Sequence, residues 1–366
     1  MFIVNADGTI TRDYSNYPST AATPDPNDHT IAVSKDVPVN QSNKTWVRIF
    51  LPRQALDSST KTKLPLIVYV HGGALILLSA ATKIYHDLCS DIAARVPAVI
   101  VSVDYRLAPE HRLPAAYYDA LEVLHWIKTT QEHWLIQYAD LSSCFIMGDS
   151  GGGNVAYHAA LLAAAQVDDL LPLKIRGLIL LKPFFGGVKR TESELRLANQ
   201  PILPPSSTDL LWQLALPIGA DRDHEYCNPT ARGGSKVLDQ FRLLIISQQA
   251  LPIGADRDHE YCNPKVEGGS KLVDQIRLLG WKVMVIGCDR DPLIDRQIEL
   301  VRMMGHKEMQ VVTHFQEGGY HGIEIIDPVK RKVLLVDIKK ICLVVRKGSI
   351  VSTRMVFAVP YTIISF

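Results

Sequence analysis

The chain has 366 residues, of which 47% are hydrophobic and 21% charged, and its formal net charge is +1. This is the composition of a globular protein, and a net charge near zero disfavours nucleic acid or an anionic membrane surface as a partner. No uncharged apolar run reaches the roughly 18 residues of a membrane-spanning helix, and residues 1–7 show no signal peptide. We therefore expect a cytoplasmic protein without nucleic-acid or membrane partners.

Short apolar runs alternate with helical patterns along most of the chain. Strands are predicted at 46–51, 66–70, 98–103, 144–147, 175–181, 282–287 and 309–315, and helices at 82–95, 114–129, 151–166, 294–304 and 327–342. Continuous apolar runs are typical of strands that are buried on both faces. The alternation predicts a mostly parallel sheet with helices on both faces.

Three stretches depart from this alternation. Residues 1–45 are polar and rich in Pro, Asp, Asn and Ser, and we interpret them as a segment that covers the surface or a cleft. Residues 184–230 combine prolines with short helical pieces, and we interpret both regions as a cap on one domain that spans residues 1–345. The tail 346–366 is apolar without a helical or alternating period, and we expect it not to belong to the domain.

Part of the sequence is duplicated. The fifteen residues ALPIGADRDHEYCNP occur at 215–229 and again at 250–264, and 24 of 30 positions are identical when the match is extended. We assign near-identical tandem copies at 215–249 and 250–284. Two copies are too few for a repeat architecture, so we interpret them as a recent duplication or an error in the predicted gene. One copy should be expendable.

The six cysteines are scattered and form no C-x-x-C pair, so we expect reduced thiols. His224 and Cys227 have a spacing that zinc sites also use, as do His259 and Cys262. They are, however, the same peptide twice, and we predict no metal site.

The apolar run 144–147 ends in Gly148-Asp149-Ser150-Gly151-Gly152, a G-x-S-x-G pattern, and an Ala-rich helical pattern begins at once. This is the form of a nucleophile elbow, a turn that lifts a serine hydroxyl above the edge of a sheet. Gly148 and Gly152 leave room for neighbouring backbone, and the helix N-terminus directs free N–H groups at whatever Ser150 attacks. Taken alone, the pattern equally fits a glycine-rich turn with an incidental serine.

A serine nucleophile needs a base within hydrogen-bond reach and a carboxylate that orients the base. Candidate acids, Asp289, Asp291 and Asp295, follow the strand at 282–287, and His321 lies in a glycine-rich loop after the strand at 309–315. Open α/β sheets bind ligands at these carboxyl ends. The order serine, acid, histidine is that of the hydrolase topology.

An oxyanion needs backbone donors that do not reorganise during the reaction. Gly72 and Gly73 follow the strand at 66–70, a position from which such donors arise in lipases and esterases. The N–H of Gly151 would supply another.

Five motifs together resemble the plant carboxylesterases of the hormone-sensitive-lipase-like α/β-hydrolase family. They are V-H-G-G, D-Y-R-L-A-P-E-H-R-L-P-A-A, G-D-S-G-G-G-N, D-P-L-I-D and G-G-Y-H-G. The resemblance covers about residues 4–342, less one copy of the duplication. It implies an α/β-hydrolase fold and a serine carboxylesterase that cleaves a small or medium ester through an acyl-enzyme. The implied roles are Ser150 as nucleophile, Asp291 as orienting acid, His321 as base, and Gly72, Gly73 and Gly151 as oxyanion donors. The family uses no metal or organic cofactor.

Three features depart from the family pattern. Ala74 stands where the family usually has a third glycine, followed by Leu75 instead of an aromatic residue. Gly151 stands where the family usually has alanine, and the duplication precedes Asp291.

Two alternative functions remain open on the same scaffold. One is a lyase, cyclase or dehydratase that acts on a plant metabolite, although Ser150 rather than threonine counts against the dehydratase. The other is a non-catalytic receptor similar to the gibberellin receptor. His321 counts against it, because that receptor has lost the catalytic histidine.

Overall fold

A central sheet of eight strands organises the computed structural model, which describes residues 2–59, 62–231 and 268–346. The strands of the chain are β1 (Phe2–Val4), β2 (Ile10–Arg12), β3 (Ala32–Asn40), β4 (Thr45–Pro52), β5 (Leu64–Val70), β6 (Val99–Asp104), β7 (Ala139–Asp149), β8 (Ile175–Leu181), β9 (Lys282–Cys288) and β10 (Val311–Gln316). β1 and β2 pair only with each other, and the sheet order is β10-β9-β8-β7-β5-β6-β4-β3. From β10 to β6 all neighbours run parallel, whereas β4 and β3 are antiparallel to their neighbours. The predicted, mostly parallel sheet is confirmed.

Helices cover both faces of this sheet. They are α1 (Arg53–Asp57), α2 (Lys83–Arg95), α3 (Ala115–Thr129), α4 (His133–Tyr138), α5 (Ser150–Ala164), α6 (Glu192–Arg196), α7 (Pro205–Ala215), α8 (Gly268–Leu278), α9 (Ile294–His306), α10 (Ile323–Ile326) and α11 (Pro328–Arg346). On one face, α3, α5 and α9 bury Leu124, Leu162 and Leu300 in the larger core. On the other, α2 and α11 bury Leu88 and Ile338 in a second core. Each such side chain stabilises the layers by roughly 1.5–3 kcal/mol, and the predicted α/β fold is confirmed.

The structure corrects one part of the interpretation of residues 1–45 as a covering segment. Residues 32–40 form β3, the outer strand of the sheet. Lys35, Asp36 and Pro38 weaken the strand pattern in this stretch. An outer strand tolerates such residues because only one of its edges is paired, so a missing N–H and solvated side chains cost little.

The region 184–230 contains the two short helices α6 and α7. Thr191 and Glu194 form a capping box at the start of α6, and Pro205 occupies the first turn of α7, where proline costs no hydrogen bond. Residues 232–267 of the duplication and the tail from 347 onward lie outside the described residues, so the domain and cap boundaries stay predictions. Within the described ranges, no helix has both the length and the apolar composition to cross a bilayer.

Candidate active site

The carboxyl ends of four parallel strands bring the predicted site residues to one edge of the sheet. Gly72 and Gly73 follow β5, Ser150 follows β7, Asp291 follows β9 and His321 follows β10. These positions are far apart in sequence. They meet because parallel strands of one sheet open on the same crevice.

Ser150 occupies a strained turn between β7 and α5. Its φ is +49°, a left-handed conformation that costs a residue with a side chain roughly 1–2 kcal/mol. A Cβ on Gly148 would lie 2.1 Å from the Gly152 carbonyl oxygen, and a Cβ on Gly152 would lie 2.1 Å from the Val70 carbonyl oxygen. Only glycine fits at these two positions, as the elbow pattern predicts.

His321 bridges a hydroxyl and a carboxylate. Its Nε2 is 2.8 Å from Ser150 Oγ, and its Nδ1 is 2.9 Å from Asp291 Oδ2. When the Nδ1–H donates to Asp291, Nε2 is the ring nitrogen that can accept the proton of the hydroxyl. The arrangement has the geometry that a serine nucleophile and its base require.

Asp291 is fully buried, and both of its carboxylate oxygens accept hydrogen bonds. Oδ1 accepts from the Leu293 N–H at 2.9 Å, and Oδ2 accepts from the Gln297 amide at 3.1 Å as well as from His321. Burial acts to raise the pKa of Asp291, but the charge and hydrogen bond of His321 and the Leu293 N–H outweigh it, so the pKa is lowered. Asp291 therefore faces His321 as a carboxylate.

The two neighbouring acids contact other groups. Asp289 Oδ1 accepts from the Gly318 N–H at 2.8 Å. Asp295 Oδ2 accepts from a backbone N–H of α6 at 2.6 Å. Of the three acids that the sequence offers, Asp291 is the one that the structure brings to His321.

One predicted oxyanion donor is wrong. The Gly72 N–H donates to Asp149 Oδ1 at 2.9 Å, so it is already engaged. The N–H groups of Gly73 and Ala74 have no acceptor among the described residues. Ala74 N lies 3.0 Å from the position that a Cβ on Gly151 would take, which sets this loop against the N-terminus of α5. The donors available at this edge are those of Gly73, Ala74 and Gly151.

Asp149 is a buried carboxylate whose role no sequence pattern predicts. Its Oδ1 also accepts the Tyr69 hydroxyl, and its Oδ2 accepts the Tyr85 hydroxyl at 3.5 Å. Burial raises the pKa of Asp149 to about 6, against the hydrogen bonds of Tyr69 and Gly72, which lower it. Its place inside G-D-S-G-G is a signal, but the motif does not reveal which loop the carboxylate holds.

Asn154 links the helix of the proposed nucleophile to the duplicated segment. Its amide nitrogen donates to the Phe184 and Tyr226 carbonyls at 3.2 and 2.7 Å, and its oxygen accepts from the Tyr117 hydroxyl at 2.8 Å. Both amide hydrogens are thus used. No local sequence pattern indicates a role for Asn154, because its partners lie on elements distant in sequence.

In the part of the chain that the structure describes, no three His, Cys, Asp or Glu side chains are grouped to hold a metal ion. In the first His-x-x-Cys sequence, the Cys227 thiol is buried, and His224 Nδ1 accepts from the Tyr226 N–H at 3.3 Å. The second lies outside the described residues.

Comparisons with known proteins place this chain in a family. The profile of the alpha/beta hydrolase fold matches residues 67–247. Carboxylesterase 20 of Arabidopsis thaliana is 47% identical over 337 residues, which are 92% of this chain and 92% of that relative. The chain belongs to the plant carboxylesterases. Another member, 3-O-acetylpapaveroxine carboxylesterase CXE2 of Papaver somniferum, is 42% identical over 342 residues, or 91% of this chain and 94% of that relative.

A solved structure supports the fold of this plant carboxylesterase. Brefeldin A esterase, a bacterial homologue of human hormone sensitive lipase, matches with a TM-score of 0.63 at 21% identity, over 90% of this chain and 82% of that one. The family assignment itself rests on the nearly full-length identity to the plant relatives. The predicted class, a carboxylic ester hydrolase, is confirmed.

Proposed function

We propose that this carboxylesterase cleaves a small or medium ester through an acyl-enzyme on Ser150, with His321 as the base and Asp291 as the acid that orients it. The observation that carries the proposal is the hydrogen-bonded chain from Asp291 Oδ2 through the imidazole to Ser150 Oγ, with distances of 2.9 and 2.8 Å. A lone serine hydroxyl is a weak nucleophile at neutral pH. In this hydrogen-bonded series, His321 is the base that activates the hydroxyl.

Ester cleavage then proceeds in two half-reactions. Ser150 Oγ attacks the carbonyl carbon while its proton passes to His321 Nε2, and the adduct expels the alcohol, which takes that proton. Water repeats the sequence on the acyl-enzyme: His321 removes a proton from water, and the carboxylic acid leaves as Ser150 Oγ regains the proton. Asp291 keeps its negative charge throughout and stabilises the imidazolium.

In this proposal, the N–H groups of Gly73, Ala74 and Gly151 donate hydrogen bonds to the negative oxygen of each tetrahedral adduct. The turn that carries the first two is fixed, because the Gly73 carbonyl accepts from the Ile76 and Leu77 N–H groups at 3.1 and 2.9 Å. Donors held in this way need no reorganisation when charge develops, and the loss of one typically costs about 10²–10³ in kcat.

A panel of 4-nitrophenyl esters, from acetyl to octanoyl, tests the proposal. Acetyl esters of plant metabolites are included because the Papaver relative is named for an acetylated substrate. A serine-directed phosphonate should abolish hydrolysis and label Ser150, as mass spectrometry will reveal, and Ser150→Ala should lose both turnover and label.

The exposed serine Ser207 provides the matched control, and Ser207→Ala should retain the wild-type rate. Turnover that survives Ser150→Ala, or a phosphonate label on another residue, would contradict the proposed nucleophile.

We also propose that the enzyme works in the cytoplasm, without nucleic-acid or membrane partners. A net charge of +1 gives no general attraction to polyanions. The described cysteines at 89, 144, 227, 288 and 342 are buried free thiols, which suit a reducing compartment. A fluorescent fusion that accumulates in the secretory pathway would contradict this location.

A further inference from the structure

A buried ion pair lies near the proposed triad of Ser150, Asp291 and His321. Lys182 directly follows β8, its Nζ contacts Glu324 Oε2, and the two side chains are only 2% and 0% exposed. Lysine and glutamate are rarely buried to this extent, because each charge loses hydration that the partner offsets incompletely. A pair of this kind is weak evidence for stability, and another role must be considered.

Lys182 is also strained. Its φ is +44°, a left-handed backbone that is unfavourable for a residue with a side chain. The Lys182 N–H donates to the Ile286 carbonyl of β9 at 2.7 Å, which fixes the residue at the sheet edge. Strained residues persist where the surroundings hold them, and they cluster at functional sites.

The ion pair closes a ring of contacts around Ser150 and His321. Just beyond Lys182, the Phe184 N–H donates to the Ser150 carbonyl at 2.8 Å. Just before Glu324 lies His321, whose Nε2 is 2.8 Å from Ser150 Oγ. The pair therefore joins the strand end that supports the serine to the turn that carries the histidine.

The His321 loop has little rigidity of its own. Gly318 and Gly322 flank the histidine with φ values of +73° and +79°, and glycine loses more backbone freedom on ordering than other residues. Asp289 fixes the start of the loop through the Gly318 N–H. The ion pair of Glu324 contributes to fixing its end, together with Arg331, which donates to the Glu324 and Ile325 carbonyls at 3.1 and 2.6 Å. Loss of the ion pair leaves the imidazole held by Asp291 on one side only, and a displacement of about 1 Å can cost about 10²-fold in rate.

We propose that Lys182 and Glu324 are positioning residues, whose ion pair holds His321 Nε2 within hydrogen-bond distance of Ser150 Oγ. The inference rests on the proposed roles of Ser150 and His321. Because the two side chains are buried and act on the reaction through the proposed triad, their loss should lower kcat and leave KM nearly unchanged.

Lys182→Met tests the pair, with Arg106→Met as the matched control. Arg106 also pairs with a buried carboxylate, that of Asp119 on α3, at 2.7 Å. Lys182→Met should lose about 10- to 100-fold in kcat with KM within about twofold of wild type. Arg106→Met should lower the thermal midpoint without that loss in kcat. The exchanged pair, Lys182→Glu with Glu324→Lys, should recover much of the kcat that either single substitution loses.

An apolar pair keeps the test decisive if Lys182→Met fails to fold. Replacement of a buried ion pair by apolar residues of similar volume is often neutral or stabilising, so Lys182→Met with Glu324→Leu should fold and still lose kcat. Wild-type kcat in that folded variant, or an equal loss of kcat in Arg106→Met, overturns the proposal.

Ester turnover and the rate of Ser150 phosphonylation are measured side by side. Wild-type protein that reacts with the phosphonate but hydrolyses no ester contradicts the proposed function alone. Variants that react with the phosphonate at the wild-type rate contradict the positioning role of Lys182 and Glu324.

Discussion

Gly151 and the Ala74 loop occupy adjoining space at the start of α5. A Cβ on Gly151 would lie 2.7 Å from Leu75 N and 3.0 Å from Ala74 Cα. Ala74 and Leu75 have φ values of +53° and +69°, so this strained loop fills the volume that a methyl group at position 151 needs. The family usually has the reverse choice, glycine at position 74 and alanine at position 151. We therefore expect the effects of substitutions at the two positions to be coupled.

Gly151→Ala should lower kcat more than it changes KM. The added methyl must displace backbone that carries the proposed oxyanion donors, so we expect a loss of about 10- to 100-fold in kcat and about 1–3 kcal/mol in stability. Ala74→Gly relaxes the loop, and the double variant with Gly151→Ala should recover part of both losses. Steady-state kinetics and urea unfolding, combined in a double-mutant cycle, measure this coupling. Purely additive effects would show that the two residues do not share the space.

The acids after β9 provide a matched set of substitutions. Asp291→Asn should reduce kcat by about four powers of ten, because the amide donates where the carboxylate accepts and so favours the wrong imidazole tautomer. The Asp295 carboxylate accepts from a backbone N–H of α6, so Asp295→Asn should keep kcat within about tenfold of the wild-type value. Initial rates at neutral pH measure both. A more severe effect of Asp295→Asn would assign the orienting role to that residue.

The sequence predicts a site residue when a local pattern marks it. It does not predict a residue whose role depends on partners that are distant in the chain. Ser150 and His321 stand in distinctive turns after apolar strands, so local pattern sufficed to propose them. Lys182 and Glu324 are 142 positions apart, and neither belongs to a recognisable motif. Gly72 was assigned wrongly because the engagement of its N–H depends on the buried carboxylate of Asp149.

The strands differ in the same way in how well the sequence predicts their bounds. β8 has the predicted bounds, Ile175–Leu181, because burial on both faces leaves a continuous apolar run. β7 begins at Ala139, earlier than the predicted 144. Asp140, Ser142 and Ser143 are polar, so the first residues of the strand do not belong to a continuous apolar run. β3 was missed because a partly solvated outer strand carries no such run.

A second histidine–aspartate pair joins β10 to α11. His314 Nδ1 contacts Asp337 Oδ2. The hydrogen bond with Asp337 raises the pKa of His314, with a further contribution from Glu324, whereas burial and Lys340 lower it. Because the folded pKa lies above the unfolded one, this stabilisation is fully present below about pH 6.5 and is lost as the pH rises through the folded pKa.

Asp337→Asn should therefore destabilise the protein more in acid than in base. We expect about 0.5–1 kcal/mol near pH 5.5 and less near pH 8.5, a modest value because the His314 side chain is 35% exposed and solvent screens the pair. Urea unfolding of wild type and variant at both pH values gives the difference. Asp87→Asn, which breaks an exposed pair with Lys83, serves as the control. Equal destabilisation by Asp337→Asn at both pH values would exclude a charged histidine as the cause.

Across the whole molecule, the duplication is the longest of the three departures from the family pattern. The described residues include 215–231 from the first copy and 268–284 from the second, which together hold all but one of the 35 positions of the unit. In the first piece, the Cys227 carbonyl accepts from the Gly186 N–H at 2.9 Å. In the second, α8 buries Val273 and Ile276 and leads into β9. The described residues thus contain nearly one complete unit, divided between the two copies.

Deletion of residues 241–275, which joins Gln240 to Ile276, should keep esterase activity and raise soluble yield and thermal midpoint. The deletion leaves one copy, with Asp239 in the place of Asp274, which pairs with Lys307 at 3.0 Å. The connection between residue 231 and the helix becomes shorter, and each halving of such a connection lowers the closure entropy cost by about 0.6 kcal/mol. Ester turnover and scanning fluorimetry check the outcome. A deletion variant that fails to fold would establish that both copies are needed.

The amide of Asn154 connects the repeated segment to the helix that carries the proposed nucleophile. It binds the Tyr226 carbonyl of that segment at 2.7 Å from the helix that begins with Ser150. How the segment docks is therefore expected to influence the rate of ester cleavage as well as the stability of the fold. Natural selection on esterase activity would then act on the repeated sequence too, in addition to selection on folding.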